Sequence, residues 1–167
     1  MKIDFGTAVR LFFKKYATFT GRATRAEYWW VMLFLFLVSL ILSWFGEFGT
    51  KIGYVFSLAC VVPQFALSMR RLHDSGLTGW IAGIYALLGI AILVWVFVAG
   101  GNTLYTLTLA PETLDASQII EFYKAIAWPV LCSVLISIVW IVLMCRKSDG
   151  DNQYGPAATN IAIPPVE

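Results

Sequence analysis

The single histidine of the 167-residue chain stands in the run Arg70-Arg71-Leu72-His73-Asp74-Ser75-Gly76-Leu77-Thr78-Gly79, directly ahead of Trp80. A histidine beside a carboxylate is half of an acid–base pair, and two arginines offer planar forks for carboxylate or phosphate. Catalysis needs more: a nucleophile set against its base, or ligands enough to hold a metal. Neighbours in sequence need not point at one another. The cysteines, Cys60, Cys132 and Cys145, form no C-x-x-C pair and read as small apolar packers. These residue types predict no catalytic group, no cofactor and no metal site.

The surroundings of that run are apolar. Hydrophobic residues make up 59% of the chain and charged ones 13%, with a mean hydropathy of +0.76. Globular domains hold roughly 45 to 50% and 25%, so the excess does not fit one small core. Uncharged stretches at 28–46, 52–69, 80–100 and 125–145 are each near the roughly 20 residues that span a bilayer as a helix. The expected fold is therefore all-α and polytopic, with four transmembrane helices in a domain over residues 21–147. The first long apolar run begins only at Tyr28, too late for a cleaved secretory leader, so the first span is expected to be retained.

Charge sets the orientation. Lys2, Arg10, Lys14, Lys15, Arg22 and Arg25 precede the first span, Arg70 and Arg71 separate the second from the third, and Arg146 and Lys147 follow the fourth. The other two loops hold only Lys51 and Lys124, and ten basic residues against two predict both termini in the cytoplasm. These cations flank spans and form no recognition motif, which excludes a nucleic-acid partner.

Residues 1–20 form an amphipathic segment. Phe5, Ala8, Val9, Phe12, Phe13, Tyr16 and Phe19 recur at helical spacing, opposite Thr7, Arg10, Lys14 and Thr18, which predicts a helix on the inner leaflet. Its cations gain roughly 1 kcal/mol each near anionic head groups. Thr24 and Glu27 read as a capping box that opens a new helix, and Tyr28, Trp29 and Trp30 belong at head-group depth. Residues 46–50 predict a tight turn between two antiparallel spans. Pro63 and Gln64 predict a bend and a hydrogen bond to a neighbouring helix. Gly79 and Gly83 allow a close helix–helix approach, within the chain or in a homo-oligomer. Beyond Gly100-Gly101-Asn102, the alternation from Thr103 to Leu109 suggests an extended stretch ended by Pro111. Asp115 with Gln118 predicts a short surface helix, and Pro129 falls in the first turns of the fourth span. Residues 148–167 read as a cytoplasmic tail that begins in turn chemistry.

Three segments carry a resemblance: Gly21-Arg22-Ala23-Thr24-Arg25-Ala26-Glu27-Tyr28-Trp29-Trp30, Arg70 to Gly76 with Gly79-Trp80, and Gly150-Asp151-Asn152-Gln153-Tyr154-Gly155-Pro156. Their order and wording resemble the domain of unknown function 805 family, small bacterial inner-membrane proteins of the YhaH and YhaI kind, over roughly residues 10 to 157. The resemblance implies a polytopic membrane protein and no activity. By that likeness the signature positions are Arg22, Arg25, Glu27, Trp29, Arg70, Arg71, His73, Asp74, Gly76, Trp80, Asn152, Tyr154, Gly155 and Pro156. The segment from Gly101 to Lys124 is a departure from shorter members.

The expected topology gathers these positions on one cytoplasmic face. Arg70 or Arg71 with Asp74, Glu27 with Arg22 or Arg25, and Asn152 or Tyr154 on loop backbone would form a polar lid. The expected role is a non-catalytic interaction or accessory component with an unidentified membrane-protein partner. Alternatives are binding of anionic lipid head groups, and a small-solute transporter or passive oligomeric pore, the pore lined by Ser57, Gln64, Ser68, Ser133 and Ser137.

Overall fold

A computed structural model describes residues 3–109 and 115–158, which form α1 (Phe5–Lys14), α2 (Arg25–Trp44), α3 (Gly46–Asp74), α4 (Trp80–Leu109) and α5 (Ala116–Cys145). No strand occurs among those residues. Among the described residues four helices, α2, α3, the Trp80–Val98 part of α4, and α5, are long and apolar enough to cross a membrane. The chain divides into two compact units, Met1–Ala82 with Leu143–Glu167, and Gly83–Val142.

In the first unit, the starts of α1 and α2 have a local cause. Asp4 caps α1, its carboxylate accepting from Thr7 N at 3.3 Å and Thr7 Oγ1 at 2.5 Å. The helix ends at Lys14, short of the stretch whose spacing suggested helix, and a turn closed by Thr18 N on Lys15 O follows. Ala8 and Phe12 are fully buried in a helix that packs on α2 and α3, so part of the apolar face meets protein. Phe5 and Phe13 meet Phe34 edge-on, and Trp30 Nε1 donates to Ile3 O at 3.1 Å. Thr24 caps α2 through Glu27 N at 3.0 Å.

The expected five-residue turn between the first two spans is tighter. Phe45 alone separates α2 from α3, with Gly46 at φ +60°. A Cβ on Gly49 would stand 1.9 Å from Leu42 O, so only glycine lets the hairpin close. Outward positions such as Phe36, Ile41, Tyr54 and Leu58 stay exposed, as lipid-facing residues do.

Pro63 in α3 lacks the amide that would have met Ala59 O one turn earlier. Tyr16 Oη donates to that carbonyl at 2.5 Å instead. Gln64 reaches α2, where its Nε2 lies 4.0 Å from Met32 Sδ. The C-terminus of α3 is a Schellman motif: Gly76, at φ +73°, bonds His73 O through its N–H at 3.1 Å, and Leu77 N bonds Leu72 O at 3.0 Å.

In the second unit, the helices run further than the sequence suggested. Residues 103–109 are helical and continuous with α4, because a helix already nucleated gains a hydrogen bond per added residue and short alternation does not stop it. Pro111 lies outside the described residues, as does the tail beyond 158. Asp115 and Gln118 do form their cap, with Ala116 N on Asp115 Oδ1 at 2.8 Å and Asp115 N on Gln118 Oε1 at 3.2 Å. The helix they open is α5 itself, not a separate short one, which places Pro129 in its interior. The carbonyl freed there, Ala125 O, accepts from Trp95 Nε1 at 3.4 Å. Both interior prolines thus leave a carbonyl that an aromatic donor from another segment takes up, as hydrocarbon requires. Tyr85 stacks on Trp140 with centroids 4.1 Å apart.

Candidate functional site

The first unit is closed at one end by five buried charges. Arg22, Glu27, Arg70, Arg71 and Asp74 are each at most 3% exposed. Asp74, the last residue of α3, is the hub. Its carboxylate accepts from Arg22 Nε at 3.0 Å, Arg71 Nη1 at 2.6 Å and Ser148 Oγ at 2.9 Å.

Arg22 reaches this hub from the connection between α1 and α2, and it holds the tail. Nη1 donates to Gly150 O and Gly155 O at 2.6 and 2.9 Å. Nη2 donates to Asp74 O, Ser148 Oγ and Asp149 O at 3.0, 3.0 and 2.5 Å. A guanidinium at the carbonyl end of α3 also meets the negative end of the helix dipole. Arg71 does the same for α5, donating to Met144 O at 3.0 Å and to Arg146 O.

Of the two partners open to Asp74 on its own helix, Arg70 and Arg71, it is Arg71 that pairs with it. Glu27 pairs with neither Arg22 nor Arg25: its Oε1 meets Arg70 Nη1 at 3.0 Å. The antiparallel hairpin brings the first turn of α2 against the last turns of α3, and Arg22 is already committed to Asp74. Only the threonine half of the capping box is therefore made, since the Glu27 carboxylate turns to Arg70.

His73 and Asp74 diverge. His73 Nδ1 lies 3.2 Å from Gly21 O, a contact in which the ring nitrogen is the donor, and the ring stacks on Tyr154 at 3.9 Å. Asp74 faces the arginines. Asn152 donates to His73 O through Nδ2 at 3.0 Å, while its Oδ1 accepts from Tyr154 N at 2.9 Å and shapes the turn to Gly155. Gly76 leaves room for the tail, because a Cβ there would stand 2.6 Å from Asp149 Oδ2. Gly79 packs within the chain, where a Cβ would meet Met69 Cε at 2.6 Å and His73 Nε2 at 2.9 Å.

Ten signature positions are thus brought together: Arg22, Glu27, Arg70, Arg71, His73, Asp74, Gly76, Asn152, Tyr154 and Gly155. Arg25, Trp29, Trp80 and Pro156 lie on the surface. Sequence reasoning missed Ser148 and Asp149, whose amide bonds Asp74 O at 2.8 Å. Their position directly ahead of the tail motif was the available signal; the carbonyls of Gly21, Met144, Arg146 and Gly150 gave none.

Chemically, the site consists of ion pairs and helix caps. Among the described residues no three His, Cys, Asp or Glu side chains group around a metal position. A cavity of about 510 Å³ belongs to the second unit, between α4 and α5, with Trp95, Trp128 and Pro129 in its wall and Lys124 as its charged residue. Of the residues considered for a pore, Ser68 is buried, and Ser133 Oγ returns to Val130 O of its own helix at 2.7 Å.

Membrane-length helices and a buried ionic closure define a multi-spanning α-helical membrane protein. A family profile described as "Protein of unknown function (DUF805)" matches residues 16–156, and the chain belongs to that family. It is similar to inner membrane protein YhaH of Escherichia coli K12, 33% identical over 89 residues that cover 48% of this chain and 74% of that protein. Inner membrane protein YhaI of the same strain is 32% identical over 96 residues, 54% of this chain and 81% of that protein. No solved structure matches.

Proposed function

We propose that the protein is a non-catalytic component of a bacterial inner membrane, with both termini in the cytoplasm, that offers the closed end of α2, α3 and the tail as a rigid platform to a membrane-protein partner. One observation carries this reading: the polar signature residues bind one another, and Arg25, Trp29 and Trp80 are left exposed among them. Arginine and tryptophan are the side chains that anchor protein contacts. The inner-membrane placement is supported by the names of the relatives, and the orientation by the basic residues. The divergence of His73 from Asp74 speaks against a paired acid and base.

Photo-crosslinking side chains at Arg25 and Trp80 in native membranes test the proposal, with exposed Leu93 as the lipid-facing reference. Discrete protein adducts at the first two positions and lipid adducts at the third are expected. Lipid adducts alone at all three would remove the platform, and a stoichiometric metal held by His73 would remove the non-catalytic reading.

A further inference from the structure

Arg22 and Arg71 each engage all three guanidinium nitrogens. Arg70 does not. It is 1% exposed, its Nη1 meets Glu27, and its Nε and Nη2 are buried without an acceptor among the described residues. Those two nitrogens form one edge of the guanidinium, whose parallel N–H bonds fit two oxygens of a single anionic group. Leaving a buried donor unpaired is destabilising. The five-charge network is also unbalanced, with three guanidiniums against two carboxylates.

We propose that the Nε–Nη2 edge of Arg70 is a binding site for a phosphate group, carried by a lipid head group or free in solution. The placement favours phosphate. Arg70 lies in the last turns of a membrane-length helix, paired with the first turn of α2, where Trp29 and Trp30 mark head-group depth. One more negative charge there balances the network.

The connection between α1 and α2 runs along α3 as far as the Arg70 backbone. Tyr16 bonds Ala59 O, Phe19 meets Phe65 edge-on, and Ala23 N bonds Arg70 O at 3.0 Å. Residues 16–21 are exposed, and on this proposal the segment moves aside to admit the anion. Lys15 stands at its start, within electrostatic reach of Glu27. The site is independent of the platform, because it needs no partner protein.

The test uses the full chain, with ¹⁵N-labelled arginine, in phosphatidylcholine nanodiscs. The probes are inorganic phosphate in one arm and phosphatidylglycerol in the disc in the other. A saturable shift of the Arg70 Nε–H resonance is expected, with those of Arg22 and Arg71 unmoved. A shift with inorganic phosphate identifies a soluble anion, and a shift with phosphatidylglycerol alone identifies a head group. Arg70→Lys keeps a charge for Glu27 but loses the fork, and should weaken binding by about ten- to a hundredfold. No shift in either arm overturns the proposal whether or not the variant folds, as does equal affinity in Arg70→Lys.

Discussion

Replacing Arg22 with alanine removes a buried guanidinium that makes six hydrogen bonds and ties the tail to Asp74. Removing one partner of a buried ion pair costs about 3–5 kcal/mol. Asp74 keeps Arg71 and Ser148, so the lower end, about 3 kcal/mol, applies to release of the tail. That is about a hundredfold in the open population. Hydrogen exchange in nanodiscs reads it at two amides, Asp149, bonded to Asp74 O, and Gly155, bonded to Asn152 O. Both should exchange about a hundredfold faster while the helices of the hairpin stay protected. Arg22→Lys should fall between, since an ammonium replaces the charge but not the fork. Arg25→Ala, at an exposed position, should change stability by no more than about 0.5 kcal/mol. Unchanged exchange at Asp149 in Arg22→Ala would show that the guanidinium does not anchor the tail.

Glu27→Ala strands Arg70 and should lower unfolding stability by about 3–5 kcal/mol, whereas Glu27→Leu with Arg70→Met should recover most of it; thermal melts in one detergent decide, and equal losses would contradict the pairing. Gly79→Ala should cost about 1–3 kcal/mol by crowding Met69 and His73, while Gly89→Ala, with nothing within 4 Å, should cost nothing in the same melts. Trp95→Phe leaves Ala125 O without its indole donor and should cost about 1 kcal/mol; an unchanged melt would remove that role. The Asp4 carboxyl is held below its ordinary value by hydrogen bonds from Thr7. Its cap is complete above the ordinary carboxylate range and is lost only as pH falls through the lowered value. The Thr7 amide shift should therefore titrate below free aspartate, and a midpoint at or above it would contradict the cap.

The sequence was most informative where the cause of structure is local. Thr24 and Asp115 sit where caps are needed, and length with hydropathy located four spans; the cap at Asp4 was not read from the sequence. The helix ends were less legible, because hydrogen-bond propagation carries α4 through residues 103–109 and joins the cap at Asp115 to Pro129 in one helix. Asp74 lies three residues from Arg71 and four from Arg70 on one helix, so its pairing could be read as one of two. Glu27 with Arg70 could not, since the choice depends on hairpin register and on Arg22 being occupied elsewhere. Most acceptors of Arg22 are backbone carbonyls, which have no side-chain identity to read. The proline rescues by Tyr16 and Trp95 are hidden for the same reason: the partner of a missing amide is set by packing.

Arg22 and Asp74, far apart in sequence, form one interaction that closes the first unit. A double-mutant cycle of Arg22→Ala and Asp74→Ala, with unfolding free energies measured in one detergent, tests it directly. Buried contact at 2.9 Å predicts a coupling of about 2–3 kcal/mol. Losses that add to within about 0.5 kcal/mol would contradict it.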